Sequence, residues 1–508
     1  MVQDVASHVL GPECSNTDTG MPPTEDSPPP RPSSSGLRRM GLALLHGGWR
    51  AVRDVEPDFW RNLRGELLAG RPWVDRIVVL TWAALTGLIV VGFTLLAEAA
   101  VHGFAKVSLW GAYGHFLPLI WTPALTVVLL WWTRRFVPGA HGSGIPQVVR
   151  ALEDDLQAPQ VRWLVSLRIA LHKIGLVSGG LLAGLSIGRE GPTVQVGAGV
   201  MVHAQRWLSP RSGIDAHDLM VAGAAAGIAA AFNTPLGGIV FALEQLTHRR
   251  GIRHSSLVIS CIVLAGLVAV AVFGSETYFG RLRVQSLSWS LLLPGLAIAV
   301  IAGLAGGLFA RLMVVSTRGL PDRFSRWRIA YPLRFAAGCA FVVAVIGIAT
   351  DGATAGAGYA TTRALLEGQA ELPGVYTLLK FCATWLSAWT GVPAGVFAPS
   401  LAIGAGIGHD VALFSGVGKE AAIPLIALGM ASFLAATTGG PITAFIIVME
   451  MVSGHAMVLS LMACSLLASG AARLVTKPMY LELAALLPIP PAPVAALPDA
   501  ATDTNRHR

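Results

Sequence analysis

Charge is what this sequence has least of. Asp, Glu, Lys and Arg together supply 13% of its 508 residues, about half the ~25% of an average soluble protein. Stretches 77–97, 255–275 and 284–310 contain none of the four, and each reaches the ~20 residues that cross a hydrocarbon core. A soluble protein with buried helices rarely repeats runs this long, so the chain reads as a polytopic helical membrane protein in a lipid bilayer. Cysteine is sparse too. Cys14, Cys261, Cys339, Cys382 and Cys464 are scattered, with no CxxC pair and no Cys/His spacing, which excludes a disulfide framework or a zinc module. HExxH and GxxxxGK[ST] are missing, so the familiar zinc-protease and nucleotide motifs give no foothold for an enzyme. No cofactor and no metal are expected.

The ends differ from the middle. The first 36 residues are rich in Pro, Ser and acids and lack an apolar core, unlike a signal peptide. Between Arg31 and Arg76 nine arginines stand against five acids, directly before the first apolar run. The positive-inside rule puts that end in the cytoplasm and accounts for much of the net charge of +8, so no nucleic-acid partner is read from it. The expected layout is a polar cytoplasmic tail over 1–70, a transmembrane domain over 71–490 and a short tail over 491–508.

What is present is a duplication. "GREGPTVQVGAGV" from Gly188 lies over "GVFAPSLAIGAGI" from Gly395, matching at Gly188/Gly395, Pro192/Pro399, Gly197/Gly404, Ala198/Ala405 and Gly199/Gly406. The stretch from Gly223 lies over that from Gly429, with Pro235/Pro441 and Glu244/Glu450 in register. The offsets are 207 and 206 residues. Helices of similar composition match by chance in Gly and Ala, but not in Pro and Glu at one offset. Two halves, about 71–280 and 281–490, are the mark of secondary transporters, whose sites form from broken helices at matching positions.

Three interrupted segments fit that description: "HGSGIPQV" with Gly142, Ser143 and Gly144, "GREGP" with Arg189, Glu190 and Gly191, and "GVFAP" with Val396 and Phe397. Glycine permits unusual backbone there, and proline suits the first turn of a helix. Each therefore reads as a helix starting inside the protein. Such a start leaves up to four N–H groups unpaired and carries roughly +0.5 of a charge, so several together bind an anion without a lysine or arginine at the site. A carboxylate can occupy such a nest in an anion's place and leave it once protonated. The plainer reading of Glu190 is a salt bridge with Arg189 or Lys173. Neighbours on a helix point apart, which makes pairing with Arg189 awkward.

Taken in this order, with "KPMY" near the end, the segments resemble the CLC family of chloride channels and chloride/proton antiporters over roughly residues 75–490. The resemblance implies an all-α fold of about eighteen tilted and broken helices in two inverted repeats. It implies a homodimer, each subunit with its own anion pathway, in the bacterial cytoplasmic membrane with both termini cytoplasmic. It makes Glu190 the gate, and Ser143, Tyr480 and the amides of Val396 and Phe397 the central chloride site. Gly142, Gly144, Arg189, Gly191 and Lys173 would line or support the pathway, Lys173 by shaping its potential. Serine at position 143 goes with chloride in the family.

One position departs. Proton-coupled members end the stretch after "FNxP" with two acids, the second being the inner proton acceptor; here Glu244 is followed by Gln245. An amide has no proton to titrate. The expectation is therefore passive or weakly coupled chloride conduction; the alternative is chloride/proton antiport, and a membrane-embedded enzyme is the remote one.

Overall fold

The computed structural model describes residues 70–491 apart from 112, 248–250, 253, 275–277, 280–288 and 370–373, and no side chain of 70–72. The two tails, all but residues 70 and 491, and the boundary between the halves lie outside the described residues. The chain divides into Met1–Gly70 and Arg71–Arg508, and all described residues but Gly70 belong to the second unit.

Regular structure among the described residues is helical. The first half contains α1 (Gly70–Ser108), α2 (Pro118–Phe136), α3 (Ile145–Ala151), α4 (Ala158–Leu164), α5 (Leu167–Leu182), α6 (Glu190–Met201), α7 (Ala216–Phe232), α8 (Pro235–Phe241) and α9 (Ser255–Phe273). The second contains α10 (Leu292–Arg318), α11 (Arg323–Ala330), α12 (Pro332–Ala349), α13 (Tyr359–Leu366), α14 (Tyr376–Trp389), α15 (Phe397–Phe414), α16 (Lys419–Thr438), α17 (Pro441–Val452), α18 (Val458–Arg473) and α19 (Met479–Ala485). Nine described helical stretches are long and apolar enough to cross a membrane. The duplication seen in two blocks of sequence thus extends along the chain: α3, α5, α6, α7, α8 and α9 are matched in order by α13 to α18.

The breaks between these helices follow from local chemistry. Proline stands in the first turn of α2, α3, α8, α12 and α17, where its missing N–H costs nothing. α7 and α16 stop at equivalent residues in left-handed backbone, Asn233 at φ 58° and Gly439 at φ 75°, and the proline two residues on starts the next helix.

Packing sorts the helices into an inner and an outer set. α6, α7, α15 and α16 are rich in Gly and Ala and buried almost all round, as expected of helices without a polar face. α9, α12 and α18 turn large apolar side chains outward, among them Leu267, Phe341 and Leu467. Small residues let the inner helices touch backbone to backbone, since packing rather than water exclusion must hold them in lipid. A Cβ on Gly197 would stand 2.1 Å from the Gly223 carbonyl oxygen, and one on Gly404 2.4 Å from that of Gly429. The repeated glycines are therefore the crossing points of α6 with α7 and of α15 with α16.

At the centre the halves touch through Gly188 and Gly395. Gly188 N–H donates to Gly395 O at 2.7 Å and Gly395 N–H to Gly188 O at 3.0 Å, an antiparallel bridge between equivalent residues. The two segments enter the contact from opposite directions, so the halves are inverted about a local two-fold axis. Overpacking a crossing costs about 1–3 kcal/mol or more. Gly197→Ala is expected to lower the temperature at which detergent-solubilised protein loses its monodisperse peak. Gly175→Ala, where a Cβ meets nothing within 4 Å, leaves it unchanged or raised, because alanine is the better helix former.

Candidate functional site

Three helix starts converge beside the Gly188–Gly395 bridge. α6 begins at Glu190, α15 at Phe397 and α3 just after Gly144. Gly142 and Gly144 hold positive φ of 74° and 108°, which glycine adopts without steric cost. Gln147 reaches back to the start of α3: its Oε1 accepts from the Gly144 amide at 2.9 Å, and its Nε2 donates to the His141 carbonyl. Gly191 backs directly onto Ser143, whose Oγ would lie 2.5 Å from a Cβ there.

Ser143, Glu190, Val396, Phe397 and Tyr480 are all buried. The hydroxyls of Ser143 and Tyr480 lie near each other, and neither meets hydrogen-bond geometry with any described residue. Buried polar atoms without partners are uncommon, and two hydroxyls beside helix starts form an apt cradle for an anion. A cavity lined by Ser143, Pro146, Val396 and Met479 leads from them to His141, Arg328 and Trp389. Phe397 sends its ring toward Phe232, 5.4 Å between centroids.

Glu190 is fully buried. One carboxylate oxygen accepts from the Tyr359 hydroxyl, and the other has no hydrogen bond among the described residues. That free oxygen lies against Gly188, beside Ala398 and Pro399 at the start of α15. Arg189 Nε stands 3.7 Å from the bonded oxygen. This corrects the expectation that adjacency makes pairing with Arg189 awkward. Arg189 is the residue before α6 rather than within it, so its side chain is free to turn toward the carboxylate. Its NH1 donates to Thr94 O at 3.0 Å and lies 3.3 Å from Glu98, and its NH2 donates to Tyr278 Oη at 2.9 Å.

Lys173 is buried with its Nζ donating to the carbonyls of Ala140 and Gly142, both at 2.7 Å. It ties down the loop that presents Ser143, a more definite task than shaping the potential. Lys380 does the same in the second half, donating to Thr354 O and Gly356 O at 2.9 Å each. The sequence reading missed Lys380 and Tyr359, although both were signalled. Lys380 follows Lys173 at the repeat offset of 207, and "GAGY" at 356–359 mirrors "GSGI" at 142–145.

Glu244 and Gln245 sit elsewhere, at the start of α17. Glu244 accepts from the amides of Ile442 at 3.0 Å and Thr443 at 2.6 Å. Glu450 answers from the other half, accepting from Leu236 at 3.2 Å and Gly237 at 2.7 Å. Each acid caps the opposite half's helix, where a carboxylate is favoured. Gln245 is buried beside Gly440. Among the described residues Asp215, His217 and Asp218 lie close enough to surround one ion. Asp215 caps α7 through the Asp218 amide, and Asp218 contacts His254 at 2.8 Å, which gives the cluster a structural use.

Comparison with known proteins agrees with this architecture. The family model for the voltage gated chloride channel matches residues 125–473. The chain is 30% identical to the H(+)/Cl(-) exchange transporter ClcA of Salmonella paratyphi A, over 78% of this chain and 85% of that protein. It is 29% identical to the ClcA of Citrobacter koseri, over 83% and 91%. Among solved structures it resembles a slow cyanobacterial Cl-/H+ antiporter, with TM-score 0.67, 22% identity and coverage of 81% of this chain and 97% of that one. It also resembles a CLC-type fluoride/proton antiporter, with TM-score 0.66, 24% identity and coverage of 80% and 97%. A family match over most of the chain, two inverted halves and helix starts meeting at a buried glutamate lead to one conclusion: the chain belongs to the CLC family of voltage gated chloride channels and their transporter relatives.

Proposed function

We propose that this protein carries chloride across a membrane in exchange for protons, with Glu190 as the gate. The observation that carries the reading is the position of that carboxylate, buried at the start of α6 with one oxygen free against the start of α15. An acid there competes with chloride for the same helix-start field while ionised and vacates it on protonation. Ser143, Tyr480 and the amides at Val396 and Phe397 form the central chloride site. Hydroxyl and amide donors hold chloride without a full opposite charge, so release stays easy. Tyr359 restrains the gate through its hydrogen bond, and Lys173 and Lys380 fix the two loops around it.

The named relatives support exchange: both ClcA proteins are called H(+)/Cl(-) exchange transporters. Passive conduction remains the second reading, and Gln245 is the observation in its favour. Glu244 does not substitute readily, because both its oxygens are engaged by the start of α17. We further propose the layout read from the sequence, with polar tails before 71 and after 490, both termini in the cytoplasm of a bacterial cell, and a homodimer with one pathway per subunit.

Liposomes loaded with chloride and containing the purified protein are expected to release it when a potassium ionophore dissipates the voltage. No chloride flux at any pH refutes transport. With a pH electrode, a chloride gradient should drive protons uphill; chloride flux without proton movement decides for passive conduction. Glu190→Gln, fixed in the protonated form, should abolish proton movement and change chloride flux, and identical behaviour of variant and wild type across pH removes Glu190 as the gate. Gln245→Glu should raise the protons moved per chloride, and an unchanged ratio shows that this position carries no proton step. A hydrogen bond to a charged group is worth about 1.5–3 kcal/mol. Tyr359→Phe is therefore expected to free the gate and speed chloride flux about tenfold at neutral pH, whereas a rate equal to or below wild type shows that the hydroxyl does not restrain Glu190.

A further inference from the structure

The passage leading outward from Ser143 widens into a chamber of one-sided charge. Beside Ser143 and Val396 the cavity holds about 60 Å³, and beyond it lie two cavities of about 410 and 290 Å³. His141, Thr317 and Arg328 line all three, and Arg134 lines both outer ones. Among the described residues no Asp or Glu lines any of them. Arg134 and Arg328 lie within electrostatic reach of each other, so each makes the other more costly to keep there.

Helix ends explain part of this arrangement. Both arginines stand in the last turn of a helix, where a cation is favoured, and Arg328 donates one N–H to the carbonyl of Ser316 in the last turn of α10. Arg318 also lines the smaller outer cavity but is paired with Glu482 at 3.2 Å; neither need explains why Arg134 and Arg328 turn onto the same chamber. A guanidinium offers parallel N–H donors that match two oxygens of a single oxyanion. A monatomic halide presents one atom where an oxyanion presents two, so it matches that fork less well, and it is served by the hydroxyls and helix starts around Ser143. The change in volume points the same way, because a group large enough to bridge the outer chamber does not follow chloride into the narrow part.

We propose that this chamber binds a phosphate group between Arg134 and Arg328, with Thr317 as a further donor, and that its occupancy closes this mouth of the chloride pathway. The blocking effect rests on the chloride-transport reading; the binding itself does not.

Calorimetry on detergent-solubilised full-length protein tests the binding, with inorganic phosphate in one arm and AMP in the other. Saturable binding is expected, weakened about tenfold by Arg328→Gln or Arg134→Gln and unchanged by Arg135→Gln, which lines none of these cavities. Arg328→Lys keeps the charge without the fork and should also weaken it. Tighter binding of AMP assigns the group to a nucleotide, and equal binding assigns it to free phosphate. In the liposome assay, phosphate replacing gluconate should slow chloride efflux from wild type and spare the double glutamine variant. Absence of saturable binding overturns the proposal, as does equal inhibition of both proteins. Variants that raise the half-saturating chloride concentration while phosphate still inhibits show a halide-loading chamber instead, which also overturns it. Binding without chloride flux in wild type leaves the site standing and removes the transport reading.

Discussion

Everything in this structure answers to one constraint: helices that begin inside an apolar interior expose N–H groups with nothing to bond to. In lipid an unsatisfied backbone group costs several kcal/mol, so a fold that places three helix starts at one point must fill that point with negative charge. Glu190 does so in the state described, its carboxylate folded over Gly188 against the start of α15. A protonated Glu190 no longer serves, and an anion is then the natural replacement. The site's chemistry therefore follows from backbone electrostatics before any side chain contributes specificity.

The same problem is solved differently at the other helix starts. Glu244 and Glu450 each bond two amides of the opposite half, closing those starts. These carboxylates are bound at both oxygens, whereas Glu190 keeps one free. That contrast separates the acids that hold the halves together from the acid proposed above to move. It also bears on proton transfer, since the acid beside Gln245 is committed to structure.

The two-fold relation supplies the frame, and its violations supply the function. Lys173 and Lys380 tie down equivalent loops through equivalent carbonyl pairs. Within that frame Ser143 is equivalent to Ala357 in the repeat, Glu190 to Phe397, and Ile145 to Tyr359. One half thus provides the Ser143 hydroxyl and Glu190, the proposed gate. The other provides the amides, an aromatic side chain packed on Phe232, and the phenol that donates to Glu190.

The sequence by itself determined the membrane character, the duplication, the broken helices and the residues at their starts. These are local matters: charge-free length, proline in a first turn and glycine at a crossing are written where they act. The repeat by itself carried no orientation of the halves, which only the resemblance implied, and the reciprocal Gly188–Gly395 bridge decided it. It also misjudged Arg189, because a helix-interior rule was applied to a residue that lies just before the helix. Tyr359 on Glu190, Lys380 on its loop and the acid-free chamber at Arg134 and Arg328 join residues far apart in the chain. Such meetings depend on how the second half folds back on the first, and only the tertiary structure brings them about.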